Sequence, residues 1–358
     1  MANRVAIGMS GGVDSSVAAS VLKEQGYDVI GVTMRLWDGE NINGNIAEST
    51  CCSLSAVEDA RRVADRLGID YYVLDFRREF SEFVIDYFVD EYINGRTPNP
   101  CIACNKFLKF DAMAKKAEIL EAEYIATGHY ARVEYDENIH RYILKCASAE
   151  AKDQTYALYN LSQKQLSQLL LPLGEFKNKE AVREYAEKHN LVTARKPDSQ
   201  EICFVPDNNY VSFIQRRIGE LPGEGNFVDL EGNILGRHKG IVNYTIGQRK
   251  GLGIAFGKPM FVVKIDAEKN EVVLGEQGKE FSDTLYAIKP NFIPFDILEK
   301  PIRAAAKVRY SAKPAEGTVS MENGRVKIVF DEPQRAITPG QAVVLYDGDI
   351  VLGGATII

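Results

Sequence analysis

The sequence predicts an α/β fold in which a doubly wound parallel sheet is followed by a small β-rich central domain and a C-terminal β-barrel. Strand and helix signals alternate up to about residue 130, which is the pattern of a parallel sheet covered by helices. After about Pro206, glycine and proline become frequent between short β-branched runs, and short apolar runs continue from residue 281 to the end. The predicted domains are therefore residues 1–206, 207–280 and 281–358.

Each element of the first domain has its own signal in the spacing of apolar residues. Strands are short apolar runs, whereas helices show apolar residues three and four positions apart. The predicted elements are, in order, a strand over 5–8, a helix over 15–25, a strand over 27–34, a helix over 53–67, a strand over 71–75, a helix over 118–124, a strand over 124–127 and mainly helical structure from 151 to about 190.

The later domains are predicted from shorter signals. Ten glycines between residues 219 and 257 indicate a loop-rich central domain. The barrel strands are predicted over 304–309, 317–321, 326–330, 342–346 and 351–353.

Composition limits the classes of protein. The 358 residues are 45% hydrophobic and contain no run of about 20 apolar residues, so we expect a cytosolic, multidomain protein. We also expect the chain to act as a monomer. Six cysteines are too few for a secreted disulfide framework. The net charge of −7 argues against non-specific coating of nucleic acid. A strip over 300–313 nevertheless has five Lys or Arg and no acid, and is either a phosphate-binding surface or an ordinary solvated run.

A glycine- and serine-rich segment, Gly8 to Ser16, follows the first strand and opens the first helix. A helix N-terminus presents unpaired N–H groups to an anion, and adjacent glycines let the backbone curl around it. The segment therefore predicts a phosphate loop, although a helix cap with no ligand has the same composition. Asp14 suits this position only if Mg²⁺ lies between it and the phosphate, or if its carboxylate caps the helix.

Two cysteine segments are candidates for chemistry. Cys101 and Cys104 follow a Pro-Asn-Pro sequence, which predicts a rigid loop that presents both thiols, and Cys203 lies far along the chain. A single Cys-x-x-Cys fits a redox pair, half of a metal site or chance. We interpret Cys51, Cys52 and Cys146 as buried structural thiols.

Together, the Ser-Gly-Gly-x-Asp-Ser loop, the Pro-Asn-Pro-x-x-x-Cys-Asn segment and the Ser-Gln-Glu-Ile-Cys-Phe segment resemble the tRNA-specific 2-thiouridylase family of the N-type ATP pyrophosphatases. The resemblance implies ATP-dependent 2-thiolation of the tRNA wobble uridine, with Cys104 as a catalytic thiol and Cys203 as the carrier of a persulfide. Many members have Asp where this chain has Cys101, so a carboxylate proposed as general base is absent here. The implied ATP-binding residues are Gly8, Met9, Ser10, Gly11, Gly12, Val13, Asp14, Ser15, Met34 and Gly128.

The resemblance also implies where tRNA binds. A base must leave its stack before chemistry at its 2-position, so a pocket for the flipped uridine is expected. The implied target-base residues are Asn99, Pro100 and Cys101, and the implied tRNA-binding residues are His129, Lys152, Asp153, Gln154, Arg309, Tyr310 and Gln341.

The expected cofactors and partners are ATP, Mg²⁺, the anticodon region of tRNA and a protein that donates persulfide sulfur. Two alternatives remain open. In one, Cys101, Cys104 and Cys203 ligate an iron–sulfur cluster that binds hydrosulfide. In the other, the chain is a non-catalytic RNA-binding scaffold.

Overall fold

The computed structural model describes residues 3–37, 54–197, 202–205 and 207–358. It divides into two compact units, each made of three separate segments of the chain. The first unit comprises Met1–Val84, Cys101–Asn208 and Asp349–Val351, and the second comprises Ile85–Pro100, Asn209–Gly348 and Leu352–Ile358. In chain order the strands and α-helices are β1 (Arg4–Gly8), α1 (Val13–Glu24), β2 (Asp28–Arg35), α2 (Leu54–Leu67), β3 (Asp70–Asp75), α3 (Arg77–Phe80), α4 (Tyr87–Ile93), α5 (Pro100–Ala103), α6 (Met113–Ile119), β4 (Tyr124–Ala126), β5 (Ala131–Asp136), β6 (Arg141–Cys146), α7 (Gln163–Ser167), β7 (Leu169–Leu170), α8 (Lys179–Lys188), α9 (Tyr210–Ile218), β8 (Gly225–Val228), β9 (Ile234–His238), β10 (Met260–Asp266), β11 (Glu271–Glu276), β12 (Phe281–Phe292), β13 (Ile302–Lys307), β14 (Ala315–Glu322), β15 (Arg325–Arg335), β16 (Ala342–Asp347) and β17 (Ile350–Ile357).

The first unit is built on a five-stranded parallel sheet in the order β3-β2-β1-β4-β7. Strand β1 lies at the centre, and Val5, Ala6 and Ile7 are fully buried, as expected for a strand covered on both faces. Helix α1 packs Val17, Ala18 and Leu22 into the same core. The predicted doubly wound α/β domain is confirmed.

Three details of the first unit differ from the predictions. The helix predicted over 118–124 is wrong, because the helix ends at Ile119 and a turn precedes β4. The region from 151 to 190 is helical only in part, since it consists of two short 3₁₀ turns, then α7, strand β7 and α8. The rigid loop predicted around Cys101 and Cys104 is wrong, because Pro100 begins α5 and a π-helical segment, Cys104–Ala112, continues it. Proline is tolerated at a first helical turn, where its missing N–H would have no intrahelical partner.

A β-hairpin of β5 and β6 also belongs to the first unit, and β6 pairs with Ile350 and Val351. The predicted strand around Cys146 is confirmed, but this thiol is half-buried, not buried. Cys51 and Cys52 lie outside the described residues.

The second unit contains two sheets. The central one has the order β10-β11-β8-β9, with β8 parallel to β11 and the other pairs antiparallel. The other is a six-stranded barrel, β12-β15-β14-β13-β16-β17, which is closed by pairing of β12 with β17. Val319, Ile328 and Val343 fill its interior and are fully buried. The predicted β-rich central domain and C-terminal barrel are confirmed, whereas the domain boundaries stay predictions.

Candidate functional site

The loop between β1 and α1 has no side-chain cap on the helix that it opens. The N-cap residue is Gly12, and serine hydroxyls stiffen the turn. The Ser10 N–H donates to Ser15 Oγ at 3.2 Å, and Ser16 Oγ donates to the Gly12 carbonyl at 2.8 Å. The first N–H groups of α1 are thus left for an anion, which supports the phosphate-loop prediction.

Position 11 requires a glycine, both because of its backbone conformation and because the Ala56 backbone lies close to it. Its φ is +69°, and a Cβ there would lie 2.1 Å from the carbonyl oxygen of Ala56. Met9 anchors the loop to β2, because its N–H donates to Val32 O at 2.8 Å and its carbonyl accepts from Thr33 Oγ1 at 2.6 Å. The side chains of Met9 and Val13 are buried, so neither is presented to a ligand.

Met34 and Gly128 lie at the same edge of the sheet as the loop. Met34 is half-buried at the carboxyl end of β2, and Gly128 follows β4. A Cβ at Gly128 would lie 2.8 Å from the Asp14 carbonyl carbon and the Ser15 nitrogen, so the two backbones touch. The structure thus brings together the carboxyl ends of three neighbouring strands, where open α/β sheets bind ligands.

Asp14 does not cap α1, which corrects one of the two roles expected for it. Its carboxylate accepts from Lys179 Nζ at 2.7 and 2.8 Å and from the Tyr130 hydroxyl at 2.6 Å. Lys179 is 7% exposed. The carboxylate therefore already has a buried cation beside it.

Sequence reasoning missed Lys179 and Tyr130. Lys179 is the first residue of α8, whose N-cap is Asn178. A cation in the first turn opposes the helix dipole, which favours negative charge there. That unfavourable position is the sequence signal that Lys179 pairs with an acidic group outside its own helix.

The predicted tRNA segment, residues 152–154, is joined to Tyr130. The Tyr130 N–H donates to Gln154 Oε1 and the Gln154 N–H donates to the Tyr130 carbonyl, both at 2.9 Å. Asp153 accepts from the Ala147 N–H and from the Thr155 hydroxyl. Lys152 is half-buried. Asp153 and Gln154 therefore fix the segment within the fold.

His129 lies between a hydroxyl group and an aromatic ring. Its Nδ1 lies 2.7 Å from Thr127 Oγ1, and its ring centroid is 5.9 Å from that of Phe110. Burial, with a smaller contribution from the nearby Lys109 charge, lowers the pKa of His129 well below its usual value. The imidazole is therefore neutral near pH 7, and any contact with RNA must be a hydrogen bond or ring contact, not a cationic one.

Cys101 and Cys104 lie one helical turn apart at the start of the Pro100–Ala112 helical segment. Cys101 is exposed and Cys104 is half-buried. The next residue, Asn105, is 2% exposed and donates from Nδ2 to the Ala157 carbonyl at 3.0 Å. This buried bond fixes the turn that carries Cys104.

The segments of Cys104 and Cys203 pack against one helical stretch. Phe204, next to Cys203, contacts Phe80 edge-to-face at 5.6 Å, and Phe107, three residues after Cys104, stacks on Phe83 at 5.2 Å. Phe80 and Phe83 are three residues apart. The structure therefore brings the two predicted catalytic segments to a common support within the first unit.

The residues do not fit a metal cluster in this arrangement. Among the described side chains, no three of His, Cys, Asp or Glu are grouped as ligands of a metal ion. The proposal of a cluster on Cys101, Cys104 and Cys203 therefore has no geometric support here.

No helix in the described ranges has the length and apolar composition to cross a bilayer.

In the second unit, Gln341 supports the residues before the predicted target-base segment. Its Nε2 donates to the Thr97 carbonyl at 2.8 Å and to the Pro98 carbonyl at 3.2 Å. Asn99 is half-buried and Pro100 is buried. Gln341 thus positions the backbone that leads into Asn99.

The basic strip is partly neutralised. Arg303 pairs with Asp331 at 2.8 Å, while Lys307 lies over the ring of Tyr310 at 5.7 Å. Tyr310 is 48% exposed and Arg309 is half-buried. An exposed ring beside a cation is a suitable stacking surface for an unpaired base.

Three family models match consecutive parts of the chain. They are described as the tRNA methyl transferase HUP domain over residues 3–207, the tRNA methyl transferase PRC-barrel domain over 211–276 and the aminomethyltransferase beta-barrel domain over 282–357. The first of them covers more than half of the chain.

Full-length relatives match as well. The protein named tRNA-specific 2-thiouridylase MnmA from Acetivibrio thermocellus is 58% identical over 355 residues, covering 99% of each chain. The protein of the same name from Clostridioides difficile is 58% identical over 358 residues, covering 100% of this chain and 98% of the relative. A solved NMN synthetase from Francisella tularensis matches with a TM-score of 0.34 and 16% identity over 61% of this chain and 78% of that one.

Proposed function

Because the chain belongs to the tRNA-specific 2-thiouridylase family, we propose that it thiolates the wobble uridine of tRNA through an adenylated base and a Cys203 persulfide. Membership makes it an ATP-using tRNA-uridine 2-sulfurtransferase. The observation that carries the mechanism is the packing of the Cys104 and Cys203 segments against one helical stretch.

The phosphate loop provides the activation step. Unpaired N–H groups of α1 and the Ser10 hydroxyl bind the phosphates of ATP, and Mg²⁺ accompanies those phosphates. The uridine 2-oxygen attacks the α-phosphorus and pyrophosphate leaves. The oxygen is thereby converted from a poor leaving group into part of AMP.

The two thiols then deliver sulfur. The terminal sulfur of the Cys203 persulfide attacks C2, and the C2–O bond breaks as AMP leaves. The Cys104 thiolate attacks Sγ of Cys203, so that the S–S bond breaks, the sulfur stays on C2 and a Cys104–Cys203 disulfide forms. A thiol reductant restores both cysteines. In the second route, Cys104 attacks first and releases hydrosulfide, which then attacks C2.

The remaining assignments concern binding. We assign Asn99, Pro100 and Cys101 to the flipped uridine, and the contacts with the rest of the tRNA to the basic and polar residues His129, Lys152, Asp153, Gln154, Arg309, Tyr310 and Gln341. A persulfide-donor protein loads Cys203. The chain acts in the cytosol as a monomer.

The test is thiolation by purified protein with ATP, Mg²⁺, unmodified tRNA and a persulfide donor, with 2-thiouridine measured by mass spectrometry. Cys104→Ser and Cys203→Ser are each expected to abolish product. Cys146→Ala, which removes another half-buried thiol of the first unit, is expected to retain it. Retained thiolation by Cys203→Ser would remove the persulfide role.

A second measurement separates the enzyme from a scaffold. The Cys203→Ser protein should still release pyrophosphate in a tRNA-dependent manner, because adenylation precedes sulfur transfer. Binding of tRNA without any pyrophosphate release by the unaltered chain would contradict the proposal.

A further inference from the structure

The central sheet of the second unit carries a glycine-rich loop over residues 245–259, which we call the glycine loop. It leads into β10. Four of its glycines have positive φ, a conformation that other residues adopt only with strain. They are Gly247 at +83°, Gly251 at +78°, Gly253 at +78° and Gly257 at +70°.

Gln248 holds the first half of the glycine loop in one shape. Its Oε1 accepts from the Thr245 N–H at 3.0 Å, and its Nε2 donates to the Lys250 carbonyl at 2.9 Å. The Gly247 N–H donates to the Val262 carbonyl and the Val262 N–H donates to the Gln248 carbonyl. The turn is therefore fixed to β10, and a ligand need not order it.

This fixed turn carries two adjacent basic side chains. Arg249 and Lys250 are both exposed, and neither is ion-paired within the described part of the chain. Other cations of the same sheet are neutralised, since Lys258 pairs with Glu276 and Lys264 pairs with Asp266. The chain has a net charge of −7, but two adjacent cations without ion-pair partners among the described residues create a local positive potential that attracts phosphate.

A cavity of about 400 Å³ opens beside Arg249. Its walls combine Arg249 and the ion-paired Lys258 with the apolar Leu252, Phe256 and Met260. Phe256 is half-buried and packs edge-to-face on Phe227, with ring centroids 6.2 Å apart. The cavity therefore offers a positioned aromatic ring next to positive charge.

We propose that the glycine loop is a further tRNA-binding site, in which Arg249 and Lys250 bind backbone phosphates and the cavity receives an unstacked base against Phe256. A flat apolar group joined to an anion is the chemistry that this combination recognises, and single-stranded nucleotides supply both parts. The proposal rests on the proposed function in that the chain must bind tRNA. It adds a contact region outside the residues assigned to thiolation.

The test measures binding of unmodified tRNA by the full chain between about 50 and about 200 mM salt. In the Arg249→Ala/Lys250→Ala variant, the slope of log affinity against log salt is expected to become shallower by about 1.4 to 1.8, the value for two lost phosphate contacts. The matched control is Lys264→Ala/Lys269→Ala, which removes the same charge beside Asp266 in the same sheet. Its slope is expected to be unchanged.

Phe256→Ala tests the cavity separately. It is expected to weaken tRNA binding about 5- to 150-fold, as for a lost base–aromatic stack, without changing the salt slope. Urea unfolding of each variant is measured as well, and binding is compared under conditions in which every variant is fully folded. Phe256→Ala is expected to unfold at lower urea because it loses the contact with Phe227, so only the affinity of the folded protein tests the cavity.

Equal slopes for the loop and control variants would overturn the phosphate contacts. Unchanged tRNA affinity of Phe256→Ala would overturn the base site. Binding of free AMP is measured as well, and tight AMP binding that Phe256→Ala abolishes would also overturn it, because the cavity would then be a site for a free nucleotide. Failure of the proposed function looks different: the chain would bind tRNA with the expected slopes yet form no 2-thiouridine. If thiolation is intact and the slopes are equal, only the glycine loop proposal fails.

Discussion

Replacing Lys179 with methionine removes the buried cation beside the Asp14 carboxylate and keeps a side chain of similar length. The two Nζ–Oδ distances are 2.7 and 2.8 Å, and the Lys179 side chain is 8% exposed against 33% for Asp14. At an effective dielectric constant of about 20, a pair 2.7 Å apart attracts by about 6 kcal/mol, and desolvation of the ammonium opposes much of this.

The net change in the free energy of unfolding depends on the environment of the Asp14 carboxylate after Lys179 is replaced. Removing one partner of a fully buried pair destabilises by about 3 to 5 kcal/mol, because the other charge is left unpaired. Asp14 keeps its hydrogen bond from Tyr130 and is partly reached by water. We therefore expect Lys179→Met to lower the free energy of unfolding of the first unit by about 2 kcal/mol.

The assay is urea unfolding followed by the fluorescence of Trp37, the single tryptophan of the chain, which lies in the first unit. The control is Lys115→Met, whose partner Asp111 is 3.1 Å away and half exposed, and a change below about 0.5 kcal/mol is expected. In a double-mutant cycle, adding Asp14→Asn to the Lys179→Met variant should restore about 1 kcal/mol of the lost free energy of unfolding. Equal effects of Lys179→Met and Lys115→Met, or no coupling to Asp14, would refute the reasoning.

Three further outcomes are expected. Gly128→Ala places a Cβ 2.8 Å from the backbone of residues 14–15, so ATP affinity measured by calorimetry should fall at least about tenfold; unchanged affinity would show that this contact relaxes freely. Asn105→Ala removes the buried bond to the Ala157 carbonyl and should lower the free energy of unfolding by about 1 to 2 kcal/mol in urea, whereas no change would mean the bond contributes nothing. Because burial lowers the pKa of His129 in the folded chain, only the unfolded chain gains that proton as pH falls below about 6.5, so stability should decline by up to about 1.4 kcal/mol per pH unit. His129→Asn should make that decline smaller between about pH 7.5 and about pH 5.5, and an identical pH profile would contradict the assignment.

Much of the fold could be predicted from the sequence because the signals are local. The short apolar run over 5–8 is bounded by turn residues, which favours a buried strand, and the glycines and serines after it are suited to a turn that opens a helix. The barrel strands were predicted from short β-branched runs for the same reason. The error at Pro100 was also local: proline excludes a helix interior but is compatible with a first turn, and the sequence does not distinguish these positions.

The sequence by itself determined the order of the domains, the glycine- and serine-rich turn before α1 and the cysteines that belong to the family pattern. Only the tertiary structure decided that Asp14 is paired with Lys179, 165 residues away, and that Phe80 and Phe83 support the two cysteine segments. Periodicity and turn composition depend on neighbours within a few positions, so they are readable along the chain. An ion pair between distant residues depends on how strands and helices pack, and no local pattern encodes that distance.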